Sequence, residues 1–156
     1  MVELNNKTDN LEQYSRRSNL RIYGVMESNR ENTDNLVVNI AQEKLGVSLS
    51  PDDIDRSHRI GKPRRGKPRA IIVKFSSYKK RMEIFKNKSK LKGSSLTIRE
   101  DLTSLRMKTL SAAVEAFELK NVWSSDGNIV IKSADGSKTT VKTPEELTEL
   151  INSTGL

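Results

Sequence analysis

Between residues 19 and 99 the spacing of apolar side chains switches repeatedly between a period of two and a period near 3.6. The order of those switches restricts the fold more than any single motif. Residues 19–25 alternate, with Leu20 and Ile22 on one side and Arg21, Tyr23 and Val25 on the other, and predict a strand. Residues 27–31 form a polar turn. Asn32 or Thr33 then caps a helix over 34–45, with Leu36, Val37, Ile40, Ala41 and Leu45 on its apolar stripe and Gly46 just past its end. Ser50-Pro51-Asp52-Asp53 is a turn, and 54–60 a short second strand. Residues 61–68 alternate glycine or proline with basic residues, which predicts an exposed, mobile loop. The strongest strand is 69–75: Ile71, Val73 and Phe75 face one way, Ala70, Ile72 and Lys74 the other. Ser76 or Ser77 caps a helix running to about Lys88, with Tyr78, Met82 and Phe85 inward and Lys79, Lys80, Arg81 and Lys86 toward water. Gly93 breaks the chain before a last strand, 96–99.

That order predicts an α+β domain over 18–101: a ferredoxin-like, RNA-recognition-motif-like βαββαβ unit with helices on one face of a four-stranded sheet. The other face is open, and in RNA-recognition domains the open face meets RNA. Residues 102–156 predict a smaller αβββα domain. Thr103 or Ser104 caps a helix to about Lys120, and strands follow at 122–124, 128–132 and 138–142. Asp126-Gly127 and Asp135-Gly136 are their hairpin turns. Thr143-Pro144 starts a final helix to about Asn152. Residues 1–17 read as a helix with Leu4, Leu11 and Tyr14 in heptad spacing, the end of a coiled coil. So short a helix is marginal by itself.

Charge is where composition enters. Residues 56–92 hold fifteen of the 28 Lys and Arg residues and a single acid, Glu83, leaving 13 basic against 19 acidic residues elsewhere. A basic block set in a mildly acidic chain points to a polyanion, most often nucleic acid, whose condensed counterions are released on binding. The bland alternative is a solvated face. The chain has no Cys, so disulfides, thiolate metal sites and a cysteine nucleophile are excluded, and the lone His58 makes no multi-histidine site. His58 reads as a strand-surface residue. No apolar run approaches the roughly 18 residues of a membrane span, and no signal peptide is visible. An intracellular, reducing compartment and no membrane partner are expected. No catalytic constellation stands out, so no enzyme and no cofactor are expected.

The RNA-recognition signature on the third strand is K/R-G-F/Y-G/A-F-V-x-F/Y. Over residues 68–75, Val73 and Phe75 fit it, but the base-stacking positions hold Ala70 and Ile72. The stacking position of the first strand falls on Arg21. With that platform replaced, contact is expected mainly with backbone phosphate and with weak sequence preference. The expected contacts are Arg17, Arg21, Arg56, Arg59, Lys62, Arg64, Arg65, Lys67, Arg69, Lys74, Lys88, Lys90, Arg99, Lys108 and Trp123. The loop arginines suit closure over a strand of RNA, with nuclear import or solubility as the alternative. Trp123 suits either the core or a stacking platform. The competing reading of the chain is a protein-interaction scaffold with a solubilising basic face.

The stretch 16–25, Arg-Arg-Ser-Asn-Leu-Arg-Ile-Tyr-Gly-Val, resembles the first open-reading-frame protein of LINE-type (non-LTR) retrotransposons. Residues 56–60, 67–75 and 97–102 extend the resemblance in the family's order. It implies a coiled-coil homotrimer that coats its own transcript as a nucleic-acid chaperone in cytoplasmic ribonucleoprotein particles, or also in the nucleus. The implied partner is single-stranded RNA, with single-stranded DNA a second. The family's RNA-binding arginines fall on Arg17, Arg21, Arg64, Arg65 and, conservatively, Lys74, and a further basic position falls near Lys88 to Lys90. Its basic patch on the first helix of the C-terminal domain reduces here to Lys108. Its tyrosine in that domain has no clear match, though Trp123 lies near.

Overall fold

In the computed structural model, which describes residues 1–155, the chain is α+β and divides into two compact units. One is Ser18–Asp101; the other joins Met1–Arg17 to the residues from Leu102 onward.

In the first unit, strands β1 (Asn19–Tyr23), β2 (Ile54–Arg59), β3 (Ile71–Phe75) and β4 (Thr97–Glu100) form one antiparallel sheet in the order β2-β3-β1-β4. Helices α2 (Thr33–Ile40) and α3 (Tyr78–Lys86) follow β1 and β3; α1 (Val2–Ser15) belongs to the other unit. The alternation of the strands turns Leu20, Ile22, Ile71, Val73, Phe75 and Ile98 inward. They pack with Val37, Ala41, Leu45, Ile84 and Phe85 from the helical segments. Burying side chains of this size stabilises by about 1.5–3 kcal/mol each.

Helix starts follow the expected capping chemistry. Asn32 caps α2 by accepting from the Asn35 N–H at 3.1 Å, and Ser77 caps α3 by accepting from the Lys80 N–H at 3.1 Å. Past α2, one wider turn, Ala41–Leu45, ends at Gly46 in the left-handed region. Ser50 and Asp53 close a reciprocal capping box around Pro51.

Three readings are corrected here. Tyr78, expected inward on α3, is exposed at the helix start. Val25 does not lie on the face of Arg21 and Tyr23; it joins the core. β1 stops at Tyr23, and Gly24, at φ +89°, swings the chain over. A Cβ on Gly24 would sit 2.0 Å from the Ser95 carbonyl oxygen, so glycine is required there. Arg81 does not face water. It is 2% exposed, and its Nη2 donates to Glu100 Oε2 at 2.6 Å. β4 alternates so that Glu100 points inward with Ile98, and a carboxylate inside a core demands a cation. The Phe85 ring covers the guanidinium at 5.0 Å.

In the second unit, α4 (Ser104–Phe117) and α5 (Pro144–Thr154) flank an antiparallel sheet of β5 (Val122–Ser125), β6 (Asn128–Lys132) and β7 (Lys138–Val141). The core is Val122, Ile129, Ile131 and Val141 against Ala113, Leu147 and their neighbours. Asp126 and Gly127, both at positive φ, make the tight β5–β6 turn. α4 ends at Phe117 rather than near Lys120, because Glu118 leaves the helical region at φ +75°.

α1 packs into this unit by its polar side. Asp9 and Gln13 are buried, whereas Leu4, Leu11 and Tyr14 are exposed, Leu11 by 72%. Gln13 Oε1 accepts from the Thr103 N–H at 2.9 Å, and Arg106 reaches Asp9 Oδ2 at 2.9 Å, Asn10 Oδ1 at 2.6 Å and the Gly127 carbonyl at 2.6 Å. The Thr103 hydroxyl donates to Asp9 while capping α4. No described helix is long and apolar enough to cross a membrane.

Candidate nucleic-acid interface

Antiparallel register decides which basic side chains of the first unit share a face. Arg21 pairs with Ile72 on one side and Arg99 on the other, and Ile72 pairs with His58. One row of the outward face therefore reads His58, Ile72, Arg21, Arg99. The neighbouring row reads Arg56, Lys74, Asn19. Tyr23 follows Ile22, which pairs with Ile71 at the hairpin end of β3, so its half-exposed ring stands where the sheet meets the basic loop. The Arg99 guanidinium lies 5.7 Å from that ring's centre.

Arg21 is held in place. Its Nε donates to Asp101 Oδ1 at 2.9 Å, and Asn19 Nδ2 donates to Asp101 Oδ2 at 3.0 Å. Burial pulls the Arg21 pKa down, but the hydrogen bond and charge of Asp101 outweigh it and leave it raised. Lys74 has a loose exposed pair with Asp55 at 3.8 Å. Arg56 and Arg99 have no acidic partner among the described residues.

Beyond the sheet, the β2–β3 hairpin carries Lys62, Arg64, Arg65 and Lys67, all exposed. A bridge between Arg64 and Lys67 folds the loop back on itself, with Gly66 at φ +78°. None of the four has an acidic partner among the described residues. The face thus presents Arg21, Arg56, Lys74 and Arg99, and the hairpin of the same sheet Lys62, Arg64, Arg65 and Lys67.

The chain matches no protein-family model.

Two arginines at the base of the hairpin serve a different purpose. All five N–H donors of Arg59 are spent internally: Nε and Nη2 on Glu31 at 2.8 and 3.0 Å, Nη1 on the Val25 and Arg69 carbonyls at 2.7 Å each, and Nη2 also on the Met26 carbonyl at 3.0 Å. Arg69 is clamped by Glu27. Both hold the hairpin base; Arg59 is buried, whereas Arg69 stays partly exposed, to about the same extent as Arg21.

The remaining expected contacts lie elsewhere. Lys90 Nζ donates to the Leu45 carbonyl at 3.0 Å, and Lys88 lies 4.0 Å from the centre of the Phe85 ring, among the elements that cover the sheet's other face. Arg17 stacks over Tyr14 at 4.1 Å, and Lys108 is exposed on α4; both belong to the second unit. So does Trp123, which lies on the outward face of β5 and is not part of the core. Sequence reasoning overlooked Tyr23 and Asp101. The alternation of β1 placed Tyr23 beside Arg21; nothing local signalled that Asp101 orients Arg21.

Proposed function

We propose that this chain binds single-stranded RNA, and single-stranded DNA, with little sequence preference and without catalysis. The observation that carries the reading is the set of basic side chains on the open face and on the hairpin of the same sheet, most of them without acidic partners among the described residues. A structural salt-bridge network would neutralise such charges; a phosphate-binding surface leaves them free. The strand order β2-β3-β1-β4, with helices α2 and α3 packed against the sheet, supports reading the first unit as a ferredoxin-like βαββαβ domain similar to the RNA-recognition motif. Ile72 and Ala70 replace stacking aromatics, so charge supplies most of the affinity, aided by Arg21 and Tyr23. The exposed Leu4, Leu11 and Tyr14 seam on α1 suits self-association as the end of a coiled coil. These features fit a nucleic-acid chaperone of the LINE-type retrotransposon class, assembled as a trimer in ribonucleoprotein particles.

The test is a filter-binding salt titration with random single-stranded RNA, single-stranded DNA and duplex RNA. Replacing Arg64 and Arg65 by Ala should weaken binding across all sequences and reduce the slope of log K against log salt by about 1.4, at about 0.7 per phosphate contact for single strands. Unchanged affinity and slope would sink the assignment. No retention at about 150 mM salt, where exposed charges are already well screened, would favour a protein scaffold with a solubilising basic face.

A further inference from the structure

α1 is a helix that its own sequence does not favour. Asn5, Asn6, Thr8, Asp9 and Asn10 fill its middle, and all of these stand low in helix propensity. A helix of this length is marginal in water even with better residues. Its order therefore comes from what it touches, and it has two sides to touch with. With Leu4 and Leu11 at heptad position a, Tyr14 falls at d, whereas Asn6 and Gln13 fall at c and Asp9 and Arg16 at f. The c and f positions are the docked ones: Asp9 and Gln13 are buried, Asn6 and Arg16 half-buried. Leu4, Leu11 and Tyr14 are left open on the a/d side. Lys7 takes the other d position, so the open seam is weak by itself.

The second unit leans on the docked side. Arg106 Nε meets Asp9 Oδ2 at 2.9 Å, and Asp9 is the one carboxylate within ion-pair reach of that guanidinium among the described residues. The Thr103 main-chain N–H, at the start of α4, donates to Gln13 Oε1 at 2.9 Å. α4 in turn packs on β5, β6 and α5. Undocking α1 thus takes a counter-charge and an acceptor from the helix on which this unit's sheet rests. Two processes that each need α1 helical, and that use opposite sides of it, share the entropy of ordering it. Whichever happens first makes the other easier, and the coupling is reciprocal. We infer that self-association through the a/d side of α1 stabilises the second unit, and that docking of this unit strengthens self-association in turn. The inference rests on the self-association proposed above and is independent of nucleic-acid binding.

Trp123, the chain's one tryptophan, lies on β5 of this unit, so its emission follows the unit's unfolding. The full chain is melted at concentrations spanning its association range, which sedimentation equilibrium defines. The midpoint detected by Trp123 should rise by roughly 5 °C as the chain assembles. Leu11→Ser, on the open seam, should abolish that rise and keep the midpoint of the dilute native chain. Gln13→Ala, off the seam, should weaken self-association about fivefold, the low end of usual coupling. Assembly with an unmoved Trp123 midpoint would overturn the inference and leave self-association standing. No assembly at any concentration would overturn both. A midpoint that still rises in Leu11→Ser would place the association on another surface and overturn the inference as well. So would unchanged self-association in Gln13→Ala when its Trp123 midpoint has dropped, because the coupling must run both ways.

Discussion

Glu27 closes the base of the basic hairpin by accepting three hydrogen bonds from Arg69: from its main-chain N–H at 3.0 Å, its Nε at 3.0 Å and its Nη2 at 2.7 Å. The side-chain bonds first, and the main-chain bond second, hold the Glu27 carboxyl below its ordinary value of 4.5. The same contact raises Arg69. A carboxyl whose folded pKa is depressed contributes stability that is complete above its unfolded value and lost as pH falls through the folded value. The clamp should therefore persist at neutral pH and open only below 4.5. The Arg69 Nε–H resonance and the exchange protection of the Arg69 amide, followed by NMR into acid, should report the opening. Glu27→Gln should flatten that acid transition. An Arg69 signal that moves identically in the native chain and the variant would refute the clamp.

Arg56 and Arg59 sit three residues apart on β2 and should behave as opposites. Arg59→Ala strands Glu31 Oε2 and the Val25, Met26 and Arg69 carbonyls, and leaves Glu31 Oε1 only the Ser28 N–H. Removing one partner of so enclosed a pair costs about 3 kcal/mol or more. For a chain of this size that lowers Tm by roughly 10 °C. Arg56→Ala should change stability by less than about 0.5 kcal/mol. It should, however, reduce the salt slope of single-strand binding by about 0.7. Calorimetry and a salt titration on the two variants test this; a slope that falls for Arg59→Ala at low temperature, with the fold intact, would reverse their roles.

That contrast shows where the sequence is legible. Period-two and period-3.6 patterns are set by which side of an element is buried, so strands such as Ile71–Phe75 and the helices beside them could be placed from residues alone. Parity alone misassigns β2, since it puts Arg56 and His58 on the side of the buried Ile54. A register shift between Ile54 and Arg56 turns them outward and Ser57 and Arg59 inward, and nothing in the sequence marks that bulge. The misplacement of Val25 came from carrying alternation through Gly24, where the backbone turns over. Buried polar contacts were least legible, because their logic is pairwise over long separations. Arg81 looks solvent-facing until Glu100 is brought inward by β4, nineteen positions along the chain. Asp101, which orients Arg21, is eighty positions from it. A heptad reading of residues 1–17 attends to Leu4 and Leu11, whereas the side that is buried is polar.

The buried pair of Asp9 and Arg106 should therefore decide whether α1 stays docked on its unit. Arg106 Nε donates to Asp9 Oδ2 at 2.9 Å, and the same carboxylate accepts the Thr103 hydroxyl that caps α4. Asp9→Ala leaves a guanidinium buried with only Asn10 and the Gly127 carbonyl. The expected loss is about 3–5 kcal/mol, read as a lower urea midpoint, with faster amide exchange throughout Val2–Ser15. Replacing both partners by apolar residues, Asp9→Leu with Arg106→Met, should recover much of the loss, since no buried charge then remains unpaired. Leu11→Ser, two positions past Asp9 and exposed, should leave monomer stability within about 0.5 kcal/mol. It should weaken any self-association seen by sedimentation, because that side of the helix is the apolar one left open. If Asp9→Ala is no more damaging than Leu11→Ser, the helix is held by something other than this pair.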